Sequence, residues 1–375
     1  MSLQGAAGNR PTVVLVGALP PPFHGMTVMI DRILRSRVLA ERFEVVHADI
    51  SDERDMTNIG RWDPVNVRLA LVHWWRLLMT LVRHRPALVH LPLSQNYLGL
   101  FRDWILLVTA LTMPRTNVIG HIGGGGFAEA LGRAPPWFRR LVLPAVRRCA
   151  ALIVSSEWHR GRIQRMFPRA RLEIVRQGTE SIDGARRPST QGGLRVLFAN
   201  SALTEDKGFF HALEAAAMCE RRLINAHWTF VGSFLSPAEQ VRATTMMAGL
   251  GSVQIVGPLE REALLERYRD ADVFVFPPSP QEGFGLVRVE AMAAGLPIIT
   301  TAAGGANEVI DDGREGFIVS YGSPDQIADR IWKLEIDPSL RSQMGRHARA
   351  RQREHFSIQA LERMLTQAWL DALNG

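Results

Sequence analysis

The sequence is poor in cysteine and lysine, and it has no long unbroken apolar run. Its two cysteines, Cys149 and Cys219, lie in different halves of the chain without C-x-x-C or His-rich neighbours. That excludes a disulfide-stapled scaffold and zinc-ribbon spacing, and predicts a reducing, cytoplasmic setting. The longest apolar stretches are Leu69–Val82, broken by His73 and Arg76, and Trp104–Met113, flanked by Arg102 and Arg115. Both fall short of the roughly 18–20 residues of a spanning helix. The N-terminus lacks a basic n-region, and its apolar run from Thr12 to Leu19 ends in Pro20-Pro21-Pro22. We read it as a first strand rather than a signal peptide. Of 44 basic residues only Lys207 and Lys333 are lysines, so arginine makes nearly all of the net charge of +7. A charge of that size over 375 residues favours a phosphate-bearing or membrane-surface partner but selects none.

What is present is an ordinary globular composition, 46% hydrophobic and 22% charged, long enough for two domains with their own cores. The first half alternates short apolar runs with longer helical patterns. Strands are predicted at Val13–Ala18, Glu44–Ala48, Leu88–Leu91, Asn117–Ile122, Ala151–Ser155 and Leu172–Val175. Between them the pattern predicts helices including Met26–Leu39, Val65–Arg83, Tyr97–Leu111 and Pro136–Arg147. Strands that are apolar throughout, alternating with helices, indicate a parallel sheet covered on both faces. From Gly178 to Gly193 the chain is rich in Gly, Ser, Thr, Arg and Pro and reads as a linker; a second alternation runs from Leu194 to Thr301. The expected fold class is therefore α/β, two Rossmann-like doubly wound domains facing across a cleft. Ligands bind outside the carboxyl ends of such strands, so the cleft is the place to look.

The most informative segment runs from Phe276 to Pro297. A buried strand ends at Pro277, a loop carries Glu282, Gly283, Phe284 and Gly285, and a helix starts near Leu286 and stops at Gly295. A glycine loop feeding a helix N-terminus presents free backbone N–H groups to a phosphate or sugar oxygen. Two carboxylates eight residues apart, Glu282 and Glu290, take separate places, one in the loop and one on the helix. This segment closely resembles the E-x7-E region of family 4 nucleotide-sugar glycosyltransferases (glycosyl transferases group 1), which have the GT-B fold. Lys207-Gly208 resembles that family's "KG", Gly257 the glycine after its V-x-x-x-G strand, and Gly304-Gly305-Ala306-Asn307-Glu308 its GGxxE. Residues 195–356 carry the resemblance well; the first half carries it loosely.

The resemblance implies domains at 1–180 (acceptor side) and 194–355 (nucleotide sugar), a linker at 181–193, and a helix at 356–375 returning to the first domain. It gives Glu290 the ribose hydroxyls of the donor. Backbone amides of Gly283, Phe284, Gly285 and Leu286, with the Glu282 side chain, would hold the donor sugar and diphosphate. Lys207 would face the diphosphate, where charge grows as the leaving group departs, and Val256-Gly257 would contact the base. Pro20 to Thr27 is similar to the family's glycine loop beside the donor phosphate, which makes Gly25 a donor contact. Gly120 to Phe127 resembles its H-x-H-G-G-x-F loop and leaves His121 as the candidate catalytic imidazole. No cofactor and no metal are expected, the nucleotide sugar being a substrate.

Two departures stand out. Ala202 occupies the place of an arginine that usually precedes the lysine, and Gly123 that of the second histidine. Arg288 is near in sequence, but on the helix it reads as facing away. Asp270-Ala271-Asp272 has the D-x-D spacing of metal-dependent transferases, yet it precedes a buried strand and reads as a helix-to-strand turn. Ser156-Glu157, similar to the family's "S-E", is equally a helix cap.

Three stretches of the first domain mix Arg with Trp, Phe and Leu: Arg61–Arg85, Phe101–Arg115 and Pro135–Arg148. Such helices either cover a core with solvated arginines or lie on an anionic membrane surface, here the inner face. The leading expectation is a retaining glycosyltransferase acting from a nucleotide-diphosphate sugar onto a glycan or lipid-linked acceptor, in cell-surface polysaccharide or glycolipid synthesis. A non-catalytic GT-B scaffold subunit with a degenerate donor site is the alternative. No nucleic-acid partner is expected.

Overall fold

The computed structural model describes residues 10–20, 25–52, 64–184 and 192–374. The first domain runs β1 (Thr12–Gly17), α1 (Gly25–Arg35), α2 (Arg37–Arg42), β2 (Glu44–Asp49), α3 (Pro64–His84), β3 (Leu88–Pro92), α4 (Tyr97–Leu111) and β4 (Asn117–Ile122). It continues with α5 (Phe127–Arg133), α6 (Pro136–Arg147), β5 (Ala151–Val154), α7 (Glu157–Met166) and β6 (Leu172–Ile174). The second runs β7 (Leu194–Ala202), α8 (Phe209–Arg221), β8 (Ala226–Ser233), α9 (Pro237–Met247), β9 (Val253–Ile255), α10 (Arg261–Asp270) and β10 (Val273–Phe276). It ends with α11 (Leu286–Ala293), β11 (Ile298–Thr301), α12 (Ala306–Val309), β12 (Gly316–Val319), α13 (Pro324–Ile336), α14 (Pro338–His355) and α15 (Ile358–Asn374).

Each domain is a six-stranded parallel sheet, ordered β2-β1-β3-β4-β5-β6 and β12-β11-β10-β7-β8-β9. The strand order reverses between β1 and β3 and between β7 and β10. Loops leaving these strands diverge to opposite faces and open a crevice. The helix expected over 26–39 is two helices, because Ser36 leaves the helical path and its hydroxyl caps α2 by accepting from the Leu39 N–H. One face of the first sheet packs under α3 to α7, through Leu77, Leu107 and Phe138. The other packs under α1, α2 and α15, through Ile30, Leu39 and Trp369.

Thus α15 leaves the second domain and packs on the first. The two chain crossings lie side by side: the Thr179 N–H donates to Phe356 O at 2.9 Å, and Gln352 Nε2 to Thr179 O at 2.8 Å. No described helix is long and apolar enough to cross a membrane.

Candidate active site

The two sheets meet through loops at their strand ends. Gly125 lies so close to the β10–α11 loop that a Cβ there would stand 2.2 Å from Gln281 O. Glu308 bridges the domains as well, accepting from the Trp158 N–H at 3.1 Å and from Arg176 at 3.0 Å.

Lys207 follows β7 and Glu282 follows β10, so adjacent strands at the second switch point bring them together. Their Nζ–Oε2 distance is 2.6 Å. Burial works against both charges. The Lys207 ammonium and its hydrogen bond, helped by Arg288, outweigh it and hold Glu282 below the ordinary carboxylate range. The Glu282 carboxylate likewise holds Lys207 above the ordinary lysine value. Gly208 makes the lysine's turn possible: its φ is +76°, and a Cβ would sit 2.0 Å from Pro277 O.

Beyond Glu282, Gly283 and buried Phe284 lead to Gly285, the N-cap of α11 with φ +69°. The first turn of any helix has N–H groups without intrahelical partners, so this end can receive anionic oxygen. Arg288 does not face away, contrary to the sequence reading. Its side chain turns back beneath the loop, fully buried, donating to Phe284 O at 2.7 Å and to Thr300 Oγ1 at 3.3 Å. Burial lowers it to about 10, with Glu282 opposing. It braces the loop from behind, while Ala202 at the end of β7 carries no charge.

Glu290, one helix turn further along α11 than Val287, is 4% exposed. Its Oε1 accepts from Arg261 at 2.5 Å, its Oε2 from the Tyr268 hydroxyl at 3.3 Å, and Arg32 of the first domain stands 3.9 Å away. Burial and then the neighbouring carboxylate push the Tyr268 hydroxyl well above its usual value, so it stays a donor. Arg32 also donates to Gly178 O and to Thr179 Oγ1, tying the Glu290 carboxylate to the chain crossing between the domains. Sequence reading missed all three partners. Arg261 and Tyr268 lie at i and i+7 on α10, and only that shared face hinted at them.

Gly257, with φ +72°, has open space on its Cβ side, and Val256 precedes it at the end of the β9 edge. Gly25 opens α1 beside Gln177, whereas Pro21 to His24 fall outside the described residues. Ser156 is the N-cap of α7, accepting from the His159 N–H, and Glu157 is exposed beside Arg160. Asp272 lies at the opening, N-terminal edge of β10, away from the cleft, and accepts from Arg195 N at 2.7 Å and Nε at 3.0 Å. The D-x-D spacing is thus a helix-to-strand turn.

His121 lies near the carboxyl end of β4. Its ring shares the sheet face of Leu88 and Ile119, and it is 1% exposed. Its Nδ1 meets His90 Nε2 at 2.9 Å, and His90 Nδ1 accepts from the Trp369 indole at 3.0 Å. An indole N–H only donates, so His90 carries its proton on Nε2 and donates it to His121. Burial, then His90 and His159, keep His121 well below its ordinary range, and burial takes His90 to about 3. Both rings are neutral members of a packed relay that ends on Trp369.

Residues 185–351 match the family described as glycosyl transferases group 1. Among curated relatives, the D-inositol 3-phosphate glycosyltransferase of Paenarthrobacter aurescens (strain TC1) is 32% identical over 205 residues, 53% of this chain and 48% of that protein. The chain thus spans about half the length of that relative. Over whole structures, sucrose-phosphate synthase from Thermosynechococcus elongatus superimposes with a TM-score of 0.75 at 17% identity, covering 96% of this chain and 98% of that one. Anabaena Alr3699/HepE, in complex with UDP and glucose, gives 0.70 at 15%, covering 96% and 99%. Identities this low speak for the fold alone, and that fold is GT-B.

Proposed function

We propose that the chain is a metal-independent, retaining glycosyltransferase of family 4 type, moving a sugar from a nucleoside diphosphate sugar to a hydroxyl of a glycan or lipid-linked acceptor. The role would lie in cell-surface polysaccharide or glycolipid synthesis. The observation that carries this is the meeting of three groups at one switch point: the Lys207–Glu282 pair at 2.6 Å, the glycine-borne start of α11, and Glu290. Retention rests on the resemblance of the E-x7-E region.

In this reading the N–H groups of Gly283 to Leu286 receive the diphosphate, and Glu290 holds the ribose once Arg261 yields Oε1. As the bond from the anomeric carbon to the diphosphate oxygen breaks, negative charge gathers on the leaving group, and Lys207 turns from Glu282 toward it. Donors fixed where charge develops commonly supply the largest catalytic contribution. Arg288 keeps Glu282 ionised meanwhile. The anomeric carbon bonds to the acceptor oxygen, whose proton passes to the departing diphosphate oxygen.

Incubation with UDP-, GDP- and ADP-sugars, read by donor hydrolysis and transfer, tests the proposal; turnover of one of them is the expected result. Ala202 and Gly123 favour a second reading, a binding or scaffold subunit. A folded protein that shows no nucleotide binding by calorimetry and no turnover decides for it.

A further inference from the structure

Large apolar side chains are unevenly exposed on this molecule. Among the described residues sixteen are exposed, and nine of them lie on just two helices, α3 and α6. On α3, Val67, Leu71, Trp75, Met79 and Val82 recur every three or four residues, which aligns them in one outward stripe. Leu71 is 61% and Trp75 55% exposed. On α6, Trp137 and Leu141 do the same, Trp137 at 52%.

The two helices belong to one surface. The Trp74 indole donates to Thr109 of α4, and the Trp104 indole of α4 donates to Leu141 O of α6. The Tyr97 and Phe138 rings meet at 4.7 Å. So α3, α4 and α6 lie side by side on one face of the first sheet, with α4 in the middle.

Charge is equally one-sided. The three helices hold seven arginines (68, 76, 83, 102, 139, 140 and 147) and one acid, Asp103. Asp103 is buried and paired with Arg102 at 2.8 Å. The balance, 7 − 1 = +6, compares with +7 for the entire chain. Arg68, Arg76 and Arg83 run beside the apolar stripe, where long side chains can bury their stems and raise their charges to phosphate level. Tryptophans interleaved with arginines on an apolar stripe match a lipid headgroup boundary better than water.

We propose that the α3–α4–α6 face docks the protein on a bilayer rich in anionic phospholipid. A second copy of the chain does not suit this face, since a two-fold contact would set +6 against +6. The geometry also relates the surface to the cleft. In a parallel sheet α4 begins at the carboxyl end of β3, and the β3–α4 loop reaches the cleft directly, Gln95 Oε1 accepting from the Gly126 N–H at 3.1 Å. A bilayer on this flank presents a lipid-linked acceptor at the cleft's edge. That last step rests on the proposed function; the docking itself does not.

Co-sedimentation of the full chain with vesicles tests the docking, without donor. Binding is expected to equimolar phosphatidylglycerol–phosphatidylcholine vesicles at low salt, to weaken in about 0.5 M salt, and to be absent with phosphatidylcholine alone. Arg68→Glu with Arg76→Glu, and separately Leu71→Ser with Trp75→Ser, should each lower partitioning about tenfold or more. Arg346→Glu, the same charge change on α14, should leave it within about twofold. Circular dichroism melts check that each variant folds. The proposal fails if wild type does not sediment with anionic vesicles, if neutral vesicles bind equally, or if Arg346→Glu weakens binding as much. It also fails if sedimentation velocity finds a dimer that Leu71→Ser with Trp75→Ser dissolves. UDP affinity of the same samples reads the donor site independently.

Discussion

In the proposed reaction Glu290 and Lys207 would reach a donor only by giving up the partners they already hold. Hydrogen bonds to charged groups contribute about 1.5–3 kcal/mol. Glu290→Ala should therefore weaken UDP binding roughly ten- to hundredfold by calorimetry, and unchanged affinity would remove the ribose assignment. Because Glu282 is held below the ordinary carboxylate value of 4.5, its pair with Lys207 stabilises the fold above that pH. The contribution is lost as pH falls through the lower folded value. Lys207 is held above 10.5, so at the alkaline end the same contribution disappears as pH rises beyond that. Thermal melts between neutral pH and about pH 3 should fall less steeply for Glu282→Gln than for wild type; parallel slopes would show that the pair does not couple to folding. The residue types of both carboxylates and of Lys207 were legible from spacing. The direction of Arg288 was not, because it is set by the Phe284 carbonyl and the Thr300 hydroxyl that meet it only after folding.

At the level of elements, the site depends on sharp strand-to-helix turns. Gly208 sits at φ +76° with a neighbour's carbonyl where a side chain would go. Gly208→Ala should cost about 2–4 kcal/mol in denaturant unfolding, from the left-handed backbone and the collision with Pro277 together. A cost within about 0.5 kcal/mol would mean that the turn relaxes freely. Most strands were legible because fully covered parallel strands are apolar at every position. The break at Ser36 was not, since the apolar rhythm of Met29, Ile30 and Ile33 runs on into Leu39 and only the hydroxyl cap decides the stop.

For the whole molecule, α15 is the fastening between domains. Trp369 is fully buried, packs edge-on against Phe43 at 5.1 Å, and ends the relay through His90 and His121. Trp369→Ala should destabilise the protein by about 3–5 kcal/mol through the cavity it leaves. Trp369→Phe keeps most of the volume but leaves His90 Nδ1 without its donor, a cost of about 1–3 kcal/mol. Chemical denaturation of both variants separates packing from hydrogen bonding, and a Trp369→Phe loss within about 0.5 kcal/mol would deny the relay any energetic part. Arg32 is a second long-range link, since it touches the hinge and Glu290 at once, and no local pattern could have joined residues so far apart.

By itself the sequence determined the layered α/β architecture, the glycine turns and the separate places of Glu282 in a loop and Glu290 on a helix. Those depend on local backbone preference and on burial that repeats along the chain. Only the tertiary structure decided that His121 is sealed in a neutral relay, that Arg288 braces the loop from beneath, and that Arg32, Arg261 and Tyr268 gather at Glu290. It likewise drew the arginine excess onto one flank with exposed tryptophan and leucine. Each of those outcomes is set by which side chains meet across the sheets after folding, a relation between distant segments that composition and spacing do not contain.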